Sequence, residues 1–419
     1  MAEAILQNID KLEAARTEAN SIPLAQLDPS QGELFLEDVS YPYFERLRAE
    51  APVHFCPESE FGPYWSVTRY EDIKYVDTNH ELFSSEGGIT LTDEDEEFPL
   101  PMFIAMDPPK HDQQRKVVSP VVGPRNLAAL EPIIRERVCT ILDSLPVDEE
   151  FDWVDRVSIE LTTQMLATLF DFPWEDRRKL TRWSDVATAD EFSGIVESEE
   201  ARRAELLECL EYFMGLWHER AAAKEPGNDL ISMLAHGEAT ANMEPQEYLG
   251  NLILLIVGGN DTTRNSLSGG LLALNQFPEE MAKLRDNPEL IPNMVSEIIR
   301  WQTPLAHMRR IATQDTELGG QQIKKGDKVI MWYVSGNRDP EVFDEPDRFL
   351  IDRENARKHI AFGFGLHRCM GNRVAEMQIR IAWEEILKRF SKIEVVGEPV
   401  RIRSSFVKGY AQLPVVVSR

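Results

Sequence analysis

The sequence is poor in cysteine: Cys56, Cys139, Cys209 and Cys369 are far apart and form no C-x-x-C pair. That spacing argues against a zinc cluster, and so few cysteines without an export signal predict a reducing, cytoplasmic location. The first twenty residues, MAEAILQNIDKLEAARTEAN, lack a long apolar run. This absence argues against a signal peptide or a membrane anchor, and we predict a short amphipathic helix there.

Basic residues are also scarce, with 45 Lys and Arg against 72 Asp and Glu and a net charge of -27. A nucleic-acid partner is therefore excluded, since it would require a basic footprint. There is no internal repeat, low-complexity tract or Gly/Ser linker. We therefore predict a single domain over residues 1–419, with residues 1–35 as an N-terminal extension that packs on it.

Helices dominate the predicted secondary structure, which is mainly α with minor β formed from both ends of the chain. Residues 53–56 and 64–68 are extended and aromatic and predict a hairpin. The acidic stretch 91–97 predicts a solvated loop, with a binding lid as the alternative. Extended residues 322–323 and 329–334 predict strands joined by a turn at 325–327. Apolar periodicity predicts helices over residues 127–145, 157–172, 198–223, 245–275, 291–301 and 372–390.

Residues 362–371, Phe-Gly-Phe-Gly-Leu-His-Arg-Cys-Met-Gly, form a glycine-rich loop that presents one thiol just before a predicted helix. Glycines permit positive φ angles and a close approach of the backbone to a flat molecule. A helix N-terminus lowers the pKa of a cysteine, and the resulting thiolate of Cys369 could bind iron. A buried free cysteine is the commonest fate of a lone cysteine, but the whole loop favours a metal ligand.

This loop resembles the haem-binding signature of the cytochrome P-450 superfamily, F-x-x-G-x-x-x-C-x-G, through Phe362, Gly365, Cys369 and Gly371. The resemblance implies a single-domain fold shaped as a triangular prism. Haem b would lie between a long central helix and the helix after the cysteine loop, with Cys369 as the iron ligand. The implied activity is that of a haem-thiolate monooxygenase.

Residues 258–263, Gly-Gly-Asn-Asp-Thr-Thr, resemble the family segment [AG]-G-x-[DE]-T-[TS] on the central helix. Two glycines inside a helix cost about 1 kcal/mol each relative to alanine. A flat ligand packed on Gly258 and Gly259 would compensate, and a close helix crossing is the alternative. The Thr262 hydroxyl could also bond the Gly258 carbonyl. The resemblance implies that Asp261 and Thr262 are the catalytic pair, with Asp261 relaying protons and Thr262 holding water.

The run Glu297-Ile-Ile-Arg300 resembles the E-x-x-R pair of the same family, and its i, i+3 spacing places both side chains on one helix face. Taken alone, it could be an ordinary surface ion pair. The presence of Asn-Arg-Asp-Pro at residues 337–340 and of Phe349 further along the chain strengthens the resemblance. The resemblance implies a buried structural network of Glu297, Arg300 and Arg338 that holds the cysteine loop.

His111 and Arg115 are i, i+4 neighbours on a predicted helix with two prolines, Pro108 and Pro109, in its first turn. The family resemblance assigns them, with Arg310 and His367, to the haem propionates. Cationic side chains form strong, charge-assisted hydrogen bonds to carboxylates, which would explain why these residues cluster around the propionates. A solvated helix face is the alternative for His111.

Two rival functions are a haem-thiolate sensor without turnover and a peroxygenase that uses hydrogen peroxide. Asp261 and Thr262 argue against both and favour dioxygen as the oxidant. No flavin or iron–sulfur motif is visible, so we expect electrons from a ferredoxin and its reductase. The docking face would be basic, and the protein would be a monomer. The candidates for that face are Arg368, Arg373, Lys110 and Lys116.

The runs 258–266 and 364–371 further resemble the bacterial P-450 family that hydroxylates the terminal carbon of medium-chain alkanes and fatty acids. A terminal C–H bond is stronger than its neighbours, so terminal attack requires a narrow apolar channel. Another apolar substrate, a terpene or a steroid-like molecule, is the alternative, and each predicted lining segment could be plain core. The predicted lining residues are Ile89, Phe103, Ile104, Ile256, Val257, Leu305, Ala306, Phe406 and Val407.

Overall fold

The computed structural model describes residues 2–189 and 194–419, and α-helices form most of this part of the chain. The helices are α1 (Ala2–Ser21), α2 (Gly32–Leu36), α3 (Tyr41–Glu50), α4 (Tyr70–Thr78), α5 (Lys110–Val118), α6 (Pro124–Asp143), α7 (Glu160–Phe170), α8 (Arg178–Thr188), α9 (Glu199–Ala221), α10 (Leu230–His236), α11 (Pro245–Gln276), α12 (Pro278–Asp286), α13 (Ile291–Gln302), α14 (Tyr333–Gly336) and α15 (Asn372–Arg389).

The strands are short and belong to small sheets. They are β1 (Val53–Cys56), β2 (Tyr64–Val67), β3 (Phe83–Ser84), β4 (Glu150–Asp152), β5 (Met308–Ala312), β6 (Thr316–Leu318), β7 (Gln321–Ile323), β8 (Lys328–Met331), β9 (Lys392–Val395), β10 (Val400–Arg401), β11 (Tyr410–Gln412) and β12 (Pro414–Ser418). The largest sheet has the order β1-β2-β8-β5-β3, so it joins the N-terminal strands to strands within residues 308–331, whereas the C-terminal strands β9–β12 belong to two other sheets. The predicted hairpin is confirmed, because β1 pairs with β2 in antiparallel register.

The prediction for residues 322–334 is wrong in part. β7 pairs with β6, whereas β8 pairs with β2 and β5, so the turn at Gly326 joins two different sheets. The strand also ends at Met331. Trp332 then turns inward, where its indole donates a hydrogen bond of 2.6 Å to the Ser66 hydroxyl and stacks on Phe35. Burial of this large ring ends the strand and begins α14.

The long helix α11 runs through the protein, and nearly all of its C-terminal half is buried. Small residues allow α13 to approach it closely: a Cβ atom added to Gly270 would lie 2.7 Å from the Ile298 side chain. On the N-terminal side, Ala15 and Ala19 of α1 belong to a buried cluster with Phe44 and Trp332. No helix in the described part of the chain is long and apolar enough to span a bilayer.

Candidate active site

A cavity of about 990 Å³ lies between α11 and the cysteine loop. Gly258 and Thr262 of α11 line one side of it, and Phe362, Cys369 and Gly371 line the other. The two segments that resemble family signatures therefore face one space, although 98 residues separate them in the sequence.

Backbone conformation fixes the cysteine loop. Gly363 and Gly365 have φ angles of +68° and +65°, which favour glycine. A Cβ atom at Gly365 would also lie 2.6 Å from the Asp77 carbonyl oxygen, so only glycine fits. The Cys369 N–H donates to the Phe362 carbonyl at 2.8 Å, which closes the loop. The thiol is thereby presented to the cavity three residues before α15.

Asp77 anchors this loop, although the sequence analysis did not select it. One oxygen of its buried carboxylate accepts hydrogen bonds from the Phe364 N–H at 2.7 Å and the Tyr333 hydroxyl at 2.8 Å. The other accepts from the Arg310 guanidinium at 2.7 Å. A signal for it does exist in the sequence, since Asp77 interrupts an apolar face of α4 four residues after Ile73.

The protonation of Cys369 differs from the prediction. Burial raises the pKa of the thiol, and this outweighs the N–H groups of Gly371 and Asn372 and the guanidinium of Arg115, which favour the thiolate. The helix N-terminus is therefore not enough to make a thiolate by itself. A bound metal ion would do so, because it displaces the thiol proton.

The two glycines of α11 have different surroundings. A Cβ atom at Gly258 would meet nothing within 4 Å, whereas one at Gly259 would lie 2.6 Å from the Leu166 side chain of α7. Gly258 thus leaves room in the cavity, and Gly259 serves a helix crossing. The predicted hydrogen bond from the Thr262 hydroxyl to the Gly258 carbonyl is confirmed, at 2.9 Å.

Asp261 lies on the buried side of α11, away from the cavity lining. Its carboxylate accepts from the Ser184 hydroxyl at 3.1 Å and pairs with Arg264 at 3.0 Å. Arg264 in turn pairs with Asp185, which is partly exposed, at 2.7 Å. Burial raises the pKa of Asp261, with the charge of Arg264 opposing it. A chain of polar groups therefore leads from the surface to the residue next to Thr262.

The predicted propionate group comes together at one edge of the cavity. Arg115, Arg310 and His367 line it, and the His111 ring lies 4.3 Å from the His367 ring, centroid to centroid. His111 Nε2 and His367 Nδ1 are buried without a hydrogen-bond partner among the described residues. Burial lowers the pKa of both imidazoles, that of His367 to about 2, and neighbouring Arg310 contributes to the latter shift. A carboxylate could accept hydrogen bonds from His367 Nδ1 and from the guanidinium groups of Arg115 and Arg310, so the site fits a flat molecule with carboxylates at one edge. Nδ1 of His111 already lies 2.8 Å from the Asp112 carboxylate, so His111 Nε2 could bond an anion only when this ring is protonated.

The E-x-x-R pair is buried and bidentate, with both Glu297–Arg300 distances at 2.7 Å. The predicted third member is wrong. Arg353, not Arg338, completes the network and approaches the Glu297 carboxylate at 3.1 Å. Arg338 instead lies over the Trp301 ring at 3.6 Å and bonds Asp347. The arginine within the Asn-Arg-Asp-Pro run stacks because α13 presents the ring of Trp301 there.

Arg300 connects this network to the segment that leads into the cysteine loop. Its guanidinium donates to the Asn337 carbonyl at 2.8 Å, and the Asn337 side chain accepts from the Ile360 N–H at 2.8 Å. Buried charges paired in this way are costly to disrupt, because each loss leaves an uncompensated charge.

The structure divides the predicted substrate residues. Ile256, Ala306 and Val407 do not line the cavity. Ile256 is buried on another side of α11. Ala306 and Val407 follow Leu305 and Phe406 on extended backbone, where successive side chains point in opposite directions. The cavity lining includes Ile89, Phe103, Ile104, Val257, Leu305 and Phe406. It also includes apolar residues that were not predicted, namely Leu91, Leu100, Met102, Leu169, Leu254 and Leu255.

Fold and site together define a haem-thiolate oxygenase. The family model for cytochrome P450 matches residues 198–408. Linalool 8-monooxygenase of Pseudomonas putida is 37% identical over 93% of this chain and 98% of its own length. The methyl-branched lipid omega-hydroxylase of Mycobacterium tuberculosis strain H37Rv is 31% identical over 95% and 96%.

The solved structure of CYP153D17 from Sphingomonas sp. PAMC 26605 superposes with a TM-score of 0.90 at 52% identity, covering 95% of this chain and 100% of that one. The chain belongs to the cytochrome P450 family. It is accordingly a monooxygenase that uses haem iron, dioxygen and a redox partner, which confirms the predicted fold and enzyme class.

Proposed function

We propose that this enzyme hydroxylates the terminal carbon of medium-chain alkanes or fatty acids. The observation that carries the proposal is the apolar lining of the cavity beside Thr262. Val257 on α11, Leu305 before β5 and Phe406 after β10 approach that space from separate elements. Each methylene of a linear chain that is buried against such walls contributes about 0.8 kcal/mol to binding. Because this increment is small, several adjacent chain lengths should bind.

The residues that would hold haem b are assigned by their chemistry. Cys369 would bind the iron, and Arg115, Arg310, His111 and His367 would bond the propionates. When bound, haem with a thiolate ligand supplies the chemistry that activates dioxygen with two electrons. Gly258 leaves the space beside it free of side chains.

Two neighbouring residues of α11, Asp261 and Thr262, would supply protons to the cavity. The Thr262 hydroxyl lines the cavity and can hold a water molecule or pass on a proton there. Asp261, protonated more readily than a free carboxyl because it is buried, can receive protons from the surface through the groups around Ser184 and Asp185. Asp261 would thus act from behind the helix, and Thr262 at the cavity itself.

A ferredoxin is the electron donor we propose. Lys116, Arg368 and Arg373 are exposed on the elements that flank Cys369, although the protein as a whole is strongly acidic. Lys110 is a weaker candidate, because it already pairs with Glu247 at 2.9 Å. A local basic surface would attract an acidic redox partner and orient it toward the cysteine loop.

A terpene alcohol is the second candidate substrate, favoured by the similarity to linalool 8-monooxygenase. Product analysis separates the two. The holoenzyme is supplied with a surrogate ferredoxin system and fed linear alkanes, fatty acids and linalool in parallel. We expect mainly terminal alcohols from the linear chains. Mainly subterminal alcohols, or turnover of linalool alone, would contradict the proposal.

A further inference from the structure

His307 is a buried imidazole that lines the cavity just before β5. Its Nδ1 lies 2.8 Å from the Ser405 carbonyl, and its Nε2 lies 3.2 Å from the backbone nitrogen of Leu91. A carbonyl only accepts a hydrogen bond and an N–H only donates one. The two partners therefore assign one neutral tautomer, with the proton on Nδ1 and the lone pair on Nε2.

The two partners of His307 belong to different walls of the cavity. Leu91 begins the acidic loop 91–97, and Ser405 belongs to the connection between β10 and β11 that carries Phe406. Leu91, Ser405 and Phe406 all line the cavity. The His307 ring also lies against Phe406, with 5.4 Å between ring centroids. One side chain thus links two segments that are more than 300 residues apart in the sequence.

We propose that His307 is a positioning residue that fixes the distance between these two walls and thereby the fit of the substrate chain. It does not take part in proton transfer, since both ring nitrogens are engaged by backbone groups. Burial lowers the pKa of His307 to about 4, so the neutral form and both hydrogen bonds persist at neutral pH. Loss of the ring nitrogens would remove the direct link between the two segments and leave the Leu91 N–H buried without an acceptor, although Arg309 still bonds Thr92 and Asp93 and the Ala306 N–H still bonds the Phe406 carbonyl.

The test uses two ligands of haem iron that differ only in their chain. In the holoenzyme, 1-methylimidazole reports access to the iron, and 1-dodecylimidazole also reports the fit of a chain in the cavity. Binding of each is followed by the shift of the haem absorption band. His307→Phe keeps a ring but removes both hydrogen bonds. We expect the Kd of 1-dodecylimidazole to rise about tenfold, which is about 1.4 kcal/mol, while that of 1-methylimidazole stays within twofold.

Two further variants of His307 test its two hydrogen bonds separately, and a variant of another histidine provides a control. His307→Gln places an acceptor where Nε2 lies, and His307→Asn places a donor where Nδ1 lies. Each should restore part of the affinity, and only the Gln variant should restore slow amide hydrogen exchange in the peptide that contains Leu91. His54→Phe is the matched control, because His54 is also buried and bonds a backbone carbonyl, that of Leu27 at 3.2 Å, but lies outside the cavity lining.

The outcomes decide the proposal in each case. An unchanged Kd of 1-dodecylimidazole in His307→Phe would overturn it, as would an equal rise for both ligands or an equal rise in His54→Phe. If His307→Phe does not fold, the Gln and Asn variants remain decisive. Identical Leu91 exchange in these two variants would then show that His307 does not hold the acidic loop.

Discussion

Thr262 and Gly258 are joined by a hydrogen bond within α11, in which the threonine hydroxyl donates to the glycine carbonyl at 2.9 Å. The hydroxyl thereby competes with the helical N–H for the same carbonyl, which loosens the helix where it borders the cavity. The neighbouring Ser266 hydroxyl repeats the pattern by donating to the Thr262 carbonyl at 2.8 Å. Polar groups on this turn are therefore available to water in an otherwise apolar space.

The first prediction follows from that hydroxyl. Thr262→Ala removes the proton carrier at the cavity but no large side chain, so the variant should fold and still consume reductant. We expect most of the electrons to appear as hydrogen peroxide instead of product. The measurement is the ratio of product formed to reductant consumed, with Thr262→Ser as the control that retains the hydroxyl. Normal coupling in the Ala variant would contradict the role of Thr262.

The second prediction concerns Asp261, which acts from the other side of the helix. Asp261→Asn keeps the shape but cannot exchange protons, so turnover should fall by very roughly 10²-fold, a typical contribution of a positioned acid or base. The solvent deuterium isotope effect on turnover should increase, because proton delivery becomes slower. Asp185→Asn should have a smaller effect, since Asp185 is partly exposed and water can replace it. An unchanged turnover rate in Asp261→Asn would remove this residue from the relay.

The third prediction tests the iron ligand. A thiolate ligand gives the reduced, carbon monoxide-bound haem an unusually red-shifted main band, and we expect that band from this protein. In Cys369→His the band should be lost even if haem is retained. Cys209→Ser is the control, because Cys209 is buried in an apolar cluster, does not line the cavity, and has a thiol whose pKa is raised by burial. Persistence of the red-shifted band in Cys369→Ala would show that another residue binds the iron.

The fourth prediction concerns the stability of α15, the helix that follows Cys369. Burial opposes ionisation of Glu385, but hydrogen bonds from Lys388, Arg389 and Arg135 lower its pKa to about 2, from 4.5. The folded state therefore favours the carboxylate. Its contribution is complete above pH 4.5 and is lost as the pH falls toward 2.

Glu385→Gln should accordingly reduce the free energy of unfolding at pH 7, by at most about 3 kcal/mol. The difference from the wild type should shrink between pH 5 and pH 3, as measured by urea unfolding. Glu394→Gln is a suitable control, because this carboxylate lies on β9 and is more exposed. A difference that does not depend on pH would contradict the ion-pair explanation.

The parts of the site that the sequence predicted are those in which neighbouring residues carry the chemistry. The cysteine loop needs glycines at 363 and 365 for its backbone, and the thiol follows within a few residues. The Thr262–Gly258 bond is likewise local, since i and i−4 are neighbours on any helix. Helices such as α11 and α15 were predicted to within a residue or two because their apolar periodicity is long.

The parts that were missed depend on contacts between distant segments. Arg353 rather than Arg338 completes the network of Glu297, because the guanidinium of Arg338 stacks on the Trp301 ring of α13 instead. Asp77 and His307 each bond backbone groups far away in the sequence, and no local pattern specifies such partners. The same reason applies to Ile256, whose side of α11 is set by packing.

The last prediction concerns the charge at the solvent end of the cavity, where exposed acids are in excess. The acidic lining residues are Glu60, Asp93, Glu94, Asp95 and Glu199, and the basic ones nearby are Arg202, Arg203 and Arg403. Each of these arginines already pairs with a carboxylate, at 3.2 Å for Arg202, 2.7 Å for Arg203 and 2.8 Å for Arg403. Asp93 is paired with Arg309 and Lys328, and Asp95, Glu199 and Glu60 lie within 4 Å of an arginine, so a carboxylate on a substrate would meet repulsion mainly from Glu94.

We expect 1-dodecanol to bind more tightly than dodecanoate, although both have the same chain length. The difference should shrink at high salt, since exposed charges are screened within about 8 Å at physiological ionic strength. Glu94→Gln should strengthen dodecanoate binding by about two- to threefold and leave 1-dodecanol unchanged, because Glu94 forms no ion pair among the described residues and single exposed charges have modest effects. Glu317→Gln, on β6 and outside the cavity lining, should change neither ligand. Tighter binding of dodecanoate than of 1-dodecanol at low salt would mean that the mouth of the cavity selects for fatty acids rather than uncharged chains.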